Sequence, residues 1–153
     1  MEDNTLKNFI LVAINDSVNS RAVLDYLINM SLCPEDTYLT LLHVFRKPTS
    51  GEELMGERFM KELPIRYEKV LNDAKERLIS GGFRPDYIDI KLVTEPYQTV
   101  ADGIIDQFKK GKFTLVVIGR KRMSKAEEFV LGDPSVKLIR ALEGTGILVV
   151  KTL

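Results

Sequence analysis

The sequence predicts an α/β protein: one domain over residues 1–153, with a doubly wound parallel sheet of five strands and helices on both faces. Five apolar runs of strand length alternate along the chain with four segments whose apolar residues recur at helical spacing. The runs are rich in β-branched residues, which is typical of strands buried on both faces of a parallel sheet. With 153 residues and 44% hydrophobic content, the chain can bury one substantial core.

The strands and helices follow one another in a regular order. Each helical segment ends at a glycine or a proline, residues that stop helices, before the next apolar run begins. The third run alternates apolar and polar residues, which places that strand near an edge of the sheet. The predicted strands are residues 8–14, 38–45, 87–93, 115–119 and 146–150, and the predicted apolar helix faces span residues 22–30, 67–78, 100–108 and 136–142.

The segment of residues 46–63 interrupts this order. Pro48, Gly51 and Gly56 break its pattern, and its apolar residues are too few to predict a stable helix. We expect a mobile insertion here. The apolar stretch within it, residues 54–60, is consistent either with a lid or with a loosely packed surface loop.

Composition and charge argue against several classes of function. The 22 basic and 22 acidic residues cancel, so the chain has no overall field to hold it on nucleic acid or on an anionic membrane. The longest apolar runs are well short of the roughly 20 residues that a membrane helix needs. A single cysteine cannot form an internal disulfide, and the amino terminus lacks a secretory signal pattern. We expect a soluble cytoplasmic protein that binds neither nucleic acid nor membrane.

The region after the fourth strand carries the clearest functional signal. Apolar residues 115–118 stop abruptly at Gly119, and a loop rich in positive charge follows. The last helix begins near Gly132, where Asp133 can cap it and Pro134 suits its first turn. Strand, basic loop and capped helix in this order form anion sites in α/β proteins, although a solvated basic loop is the more ordinary explanation.

Five short motifs are spread over nearly the whole chain. They are Ile-Leu-Val-Ala-Ile14 with the Asn-Asp-Ser17 that follows it, Leu-Leu-His-Val44, Val-Val-Ile-Gly119, Phe-Val-Leu-Gly132 and Ile-Leu-Val-Val150. In their order and spacing together, the chain resembles the universal stress protein family. It implies the sheet order 3-2-1-4-5 and a switch point between the first and fourth strands, where ligands bind in such sheets.

The resemblance also implies where an adenine nucleotide would bind. Many relatives bind ATP through a glycine motif, and here Gly119 and Gly132 stand at its first and third glycines. Arg122 replaces the second glycine, Asp133 stands where a serine or threonine is usual, and Ser135 matches a second hydroxyl. The positions expected to hold adenine and ribose are Ala13, Ile14, Asn15, Val44 and Ile118.

These departures affect the phosphate end of the implied site. A side chain at Arg122 adds bulk where glycine would let the backbone approach a phosphate, although arginine can itself pair with phosphate. Pro134 has no amide hydrogen to donate, and Asp133 places a carboxylate where the phosphates would lie. Asn15 can accept a hydrogen bond from a ribose hydroxyl, but it brings no negative charge to hold Mg²⁺.

Two hypotheses therefore stay open. The leading one is a cytoplasmic stress-response protein that acts through dimerisation and an unidentified protein partner, with a degraded nucleotide pocket. The alternative is a module that still binds ATP, with Mg²⁺, or another adenine nucleotide, with Arg122 replacing the lost glycine contact. An enzyme is least supported, because no catalytic-triad or metal-ligand spacing is present. The single histidine, His43, lies in an apolar strand and is expected to be a hydrogen-bonded core residue.

The last strand predicts a dimer contact. In the implied order it is a sheet edge, yet residues 147–150 are consecutive apolar residues with no proline or charge. Such an edge invites pairing with another chain, whereas the third strand carries Asp89 and Lys91 and resembles an edge blunted for solvent. We therefore expect a homodimer joined through the C-terminal strand, with the two final strands antiparallel about a two-fold axis.

Overall fold

The computed structural model describes residues 7–15, 18–46, 54–121, 124–126 and 134–152. Five strands form one sheet in the order β3-β2-β1-β4-β5, and every neighbouring pair is parallel. This confirms the predicted α/β fold class and the implied strand order. The strands are β1 (Asn8–Ala13), β2 (Thr37–Arg46), β3 (Ile88–Tyr97), β4 (Leu115–Arg120) and β5 (Gly146–Lys151).

Helices cover both faces of the sheet, as predicted. On one face lie α1 (Val18–Asn29) and α2 (Glu57–Ser80), and on the other lie α3 (Val100–Lys110) and α4 (Pro134–Ala141). Each face has its own apolar core, because side chains alternate across the strands. The core under α1 and α2 includes Ile10, Val12, Leu27, Leu41, Leu71 and Leu78, and the core under α3 and α4 includes Leu11, Leu42, Ile104, Val116 and Leu138.

The switch point lies at β1, which pairs with β2 on one side and with β4 on the other. After β1 the chain passes through α1 to β2, whereas β4 is reached only after the other half of the fold. From β1 the chain goes on to β2 on one side, and from β4 it goes on to β5 on the other, so the strand order reverses between β1 and β4 and predicts a crevice at their carboxyl ends. The candidate site is built at this crevice.

The helix predicted over residues 67–78 is longer than its apolar pattern indicated. It begins at Glu57, ten residues earlier, and continues through Pro64. The prediction of a pattern-breaking insertion is therefore wrong for residues 57–63, while residues 47–53 lie outside the described part. All the buried residues of this helix are in its second half, which explains why the sequence pattern marked only that half. The mobility of residues 46–63 stays a prediction.

Candidate functional site

A cavity of about 210 Å³ opens at the carboxyl ends of β1 and β4. Six of the residues predicted to form the site line it together: Ala13, Ile14, Asn15, Val44, Ile118 and Gly119. The other lining residues are Asn19 and Ser20 of α1, Leu42 and His43 of β2, Val100 and Ile104 of α3, and Pro134 of α4. The crevice at the switch point is thus a cavity with apolar walls and a polar rim.

The remaining predicted residues belong to the phosphate end. Arg122, Gly132 and Asp133 lie outside the described residues, so their prediction stays untested. Ser135 is the second residue of α4 and is buried, at 5% exposure. It does not line the cavity, although the preceding residue, Pro134, does.

Asn15 is held at the rim of the cavity by two hydrogen bonds with Ser20. The Asn15 backbone N–H donates to the Ser20 Oγ over 2.9 Å, and the Ser20 hydroxyl donates to the Asn15 Oδ1 over 2.8 Å. Because the two bonds close a ring between the end of β1 and the first turn of α1, the Asn15 carboxamide has a defined orientation. Its side chain stays exposed, within reach of a ligand.

His43 fixes the neighbouring backbone. Its Nδ1–H donates to the Ile14 carbonyl over 2.8 Å, while the Ile14 N–H donates to the Leu42 carbonyl over 2.8 Å. The imidazole stacks on Tyr67 of α2, with ring centroids 3.8 Å apart, and meets Phe45 edge to face. Burial lowers the pKa of His43, and the bond to Ile14 only partly opposes this effect. The prediction of a hydrogen-bonded core histidine is confirmed.

Two glycines allow close approaches around the cavity. At Gly119, an added Cβ would lie 3.1 Å from the backbone oxygen of Asn19, because the start of α1 passes directly over the end of β4. At Gly103, the fourth residue of α3, an added Cβ would lie 2.2 Å from a Val44 methyl group. A Cβ at Gly103 would force α3 or Val44 to move, whereas one at Gly119 would require the start of α1 to shift by a few tenths of an ångström. The sequence reading missed Gly103, although a glycine inside an amphipathic helix is a signal for such packing.

The end of the chain also reaches the cavity wall. The Thr152 N–H donates to the Arg120 carbonyl over 3.1 Å, and the Thr152 hydroxyl donates to the Asn19 Oδ1 in a short hydrogen bond. Asn19 lines the cavity, and its backbone lies over Gly119. One wall of the cavity is therefore hydrogen-bonded to the residue that follows β5.

The described residues offer little for metal binding. No three or more His, Cys, Asp or Glu side chains among them cluster closely enough to hold a metal ion. Asn15, at the rim, contributes an uncharged amide rather than a carboxylate.

Among the residues that the structure describes, no helix is long and apolar enough to cross a membrane.

A statistical model of the Universal stress protein family matches residues 8–150. The chain belongs to the universal stress protein family. The resemblance seen in the sequence motifs is thereby confirmed, and the cavity between β1 and β4 is the switch-point crevice of a universal stress protein fold. No curated protein matches the chain.

Solved structures of universal stress proteins have the same fold. One in complex with cAMP is 18% identical, with 95% of this chain and 98% of that chain covered and a TM-score of 0.68. A family protein from Burkholderia pseudomallei is 21% identical, with 95% and 97% covered and a TM-score of 0.62. One from Archaeoglobus fulgidus in complex with dAMP is 15% identical, with 96% and 100% covered and a TM-score of 0.61.

Proposed function

We propose that this universal stress protein binds an adenine nucleotide through its nucleoside half, in the cavity between β1 and β4. The observation that carries the proposal is the convergence of six predicted nucleoside and glycine-motif positions on that one cavity. This convergence favours the second of the two hypotheses from the sequence, a nucleotide-binding module, over a pocket that has lost its ligand. Two solved relatives, in complex with cAMP and with dAMP, lend support because both ligands are adenine monophosphates.

The cavity suits a nucleoside by its chemistry and its size. Val44 and Ile118, each 5% exposed, and the smaller Ala13 supply apolar walls for a planar base. Asn15 supplies an amide that can exchange hydrogen bonds with a ribose hydroxyl. The described walls enclose about 210 Å³, below the roughly 300 Å³ at which pockets for drug-sized ligands begin. The phosphates of a nucleotide would therefore extend beyond these walls.

We expect the phosphates to contribute little affinity. Arg122 and Asp133 stand where the motif has a glycine and a hydroxyl residue, and Pro134 has no amide hydrogen for an anion. AMP and ATP should therefore bind with similar dissociation constants, with that for ATP weaker than about 100 μM, or −5.5 kcal/mol. Isothermal titration calorimetry with each nucleotide, with and without Mg²⁺, measures both. A dissociation constant for ATP in the low micromolar range would contradict the expectation.

A cavity-filling variant tests the location. Ala13→Phe places a large side chain against the base position and should abolish AMP binding, whereas Ala141→Phe, at an exposed position of α4, should not. Thermal unfolding of both variants checks that the sheet is intact.

The triple variant Arg122→Gly, Asp133→Ser, Pro134→Val should strengthen ATP binding, because it restores backbone approach, a hydroxyl and an amide. If neither AMP nor ATP binds the wild type at millimolar concentration, the proposal is wrong.

The role in the cell follows as a second part of the proposal. β5 is an edge of the sheet, and Ile147, Leu148 and Val149 on it are only half-buried. These features support a homodimer joined through the C-terminal strand. We further propose that this dimer is a cytoplasmic stress-response protein and that bound nucleotide controls its contact with an unidentified protein partner. We assign binding rather than catalysis to the cavity, because its imidazole, that of His43, is buried and committed to the Ile14 carbonyl.

A further inference from the structure

A second groove adjoins the nucleoside cavity across the end of β1. It lies between α1 and α2, on the opposite face of the sheet, and has a volume of about 340 Å³. Ile14, Asn15 and Ser20 line both spaces, so these residues form the ridge that separates them. The rest of the groove is lined by Arg21 and Leu24 of α1 and by Val70, Asp73, Ala74 and Arg77 of α2.

Among the described residues, the charges that line this groove leave one cation, Arg21, without an acidic partner. Arg77 donates twice to the Asp25 carboxylate, over 2.6 and 2.8 Å, and Asp73 accepts from Lys69 over 2.7 Å. Arg21 is exposed, and no acidic side chain of the described residues lies within ion-pairing distance of its guanidinium. Since a guanidinium binds phosphate bidentately, the groove offers a position for an anionic group next to Asn15.

The ridge indicates which part of a nucleotide would carry that anionic group. In the proposed function, Asn15 hydrogen-bonds the ribose hydroxyls of a nucleoside in the cavity. A substituent on one of those hydroxyls would extend past Asn15 into the groove that contains Arg21. Asn15 is uncharged and does not repel a phosphate there, and an arginine near the ribose is also how dinucleotide-binding sheets accept a 2′-phosphate.

We infer that the ligand of this site is an adenine nucleotide that carries a phosphate on its ribose 2′ or 3′ oxygen, with Arg21 as the residue that selects it. This inference rests on the proposed nucleoside site and adds the class of ligand. The groove has a floor of buried apolar side chains, Ile14, Leu24 and Ala74, and is also lined by the exposed Arg21. The pair that a guanidinium forms with a phosphate is charge-assisted and therefore stronger than a neutral hydrogen bond.

Three isomeric ligands provide the test. Adenosine 3′,5′-bisphosphate, adenosine 2′,5′-bisphosphate and ADP contain the same atoms and two phosphates each, and differ in whether the second phosphate is on the ribose or on the 5′ chain. Calorimetry at about 50 mM salt keeps screening of the exposed Arg21 modest. We expect one of the two bisphosphates to bind about tenfold more tightly than ADP. The stronger isomer identifies which ribose oxygen faces the groove.

Two variants and one control assign the preference to the groove. Arg21→Gln should reduce the ratio of ADP to bisphosphate dissociation constants to about one. Asn15→Asp, which keeps an oxygen to accept from Ser20, should also lower that ratio because its carboxylate repels the ribose phosphate. Arg140→Gln removes an equivalent exposed charge from α4, which lines neither space at that position, and should keep the wild-type ratio.

The outcomes separate this inference from the proposed function. If AMP and ADP bind but neither bisphosphate binds more tightly than ADP, the nucleoside site stands and the selective role of Arg21 is wrong. A bisphosphate preference that survives Arg21→Gln would also overturn the inference. If no adenosine compound binds, both the proposed function and this inference are wrong. Circular dichroism of each variant confirms that the fold is unchanged, as expected for exposed positions.

Discussion

At the level of single residues, His43 connects the candidate site to the helix above it. Its Nδ1–H is bound to the carbonyl of Ile14, which lines the cavity, and its ring stacks on Tyr67 of α2. The histidine is 7% exposed, so its protonation must place a charge among apolar groups. The neutral form is favoured in the folded protein, with the proton on the nitrogen that faces Ile14.

This burial predicts a loss of stability on mild acidification. Because the folded state lowers the pKa of His43 below its ordinary value of 6.5, the unfolded chain binds more protons and the free energy of unfolding decreases as pH falls through that value. Urea unfolding between pH 7.5 and 5 measures the decrease, and His43→Phe should flatten it. The carboxyl groups of Asp102 and Asp106 have lowered pKa values, so their contribution to the free energy of unfolding is lost only below about pH 4. If the free energy of unfolding falls equally with pH in the wild type and in His43→Phe, the loss of stability does not come from His43.

The sequence predicted some site residues and missed others for physical reasons. Asn15 and Gly119 follow apolar strands directly, and the carboxyl ends of parallel strands are where α/β sheets bind ligands. Arg21 gave no such signal, because a basic residue on the polar face of an amphipathic helix is expected to be an ordinary solvent-exposed side chain. Its groove is completed by Val70 and Ala74, about fifty residues further along the chain, and a single sequence does not reveal that long-range pairing.

At the level of elements, α2 shows what apolar periodicity can and cannot predict. Leu71, Ala74 and Leu78 are its buried residues, and their spacing marked the second half of the helix in the sequence. The first half, from Glu57, buries no residue fully, although Phe59, Met60 and Leu63 are half-buried. Helix formation there continues a helix already nucleated by packing, which costs little per added residue. The pattern of burial therefore gave no sign of the true beginning.

The packing of α3 on the sheet gives an element-level prediction. Replacement of Gly103 by alanine favours the helix by about 1 kcal/mol, but places a Cβ only 2.2 Å from a methyl group of Val44. We expect net destabilisation of about 1–3 kcal/mol, because α3 or Val44 must move away from the sheet. Urea unfolding measures it, with Lys109→Ala on the exposed face of α3 as a control that changes stability by less than about 0.5 kcal/mol. A stabilised Gly103→Ala variant would mean that the contact relaxes freely.

At the level of the whole molecule, the two edges of the sheet differ. β3 presents exposed Asp89 and Lys91, charges that discourage pairing with another strand. β5 presents Ile147, Leu148 and Val149, all half-buried in the single chain. An unpaired edge of this composition is stabilised when a second copy adds its own β5, since the backbone bonds and the apolar contacts form together.

The resulting prediction is that a single substitution in β5 separates the dimer into single chains. Leu148→Lys should reduce the mass measured by light scattering from twice the 17.4 kDa of one chain to that value. Leu92→Lys is the matched control, because Leu92 is a half-buried leucine that packs against the same core from the opposite edge strand. Both substitutions cost similar core packing, so only the first should change the mass. A wild-type mass near 17.4 kDa at micromolar concentration would rule out a stable dimer.

The hydrogen bond between Thr152 and Asn19 has a consequence for how the protein would respond to its ligand. Asn19 belongs to the wall of the nucleoside cavity, and Thr152 directly follows the strand that we expect to pair with a second copy. If occupation of the cavity shifts Asn19, the shift reaches the end of β5 through one bond. By thermodynamic linkage, a ligand that strengthens the pairing of two copies is itself bound more tightly by the pair than by the single chain. The apparent affinity for the nucleotide would then rise with the concentration of the protein.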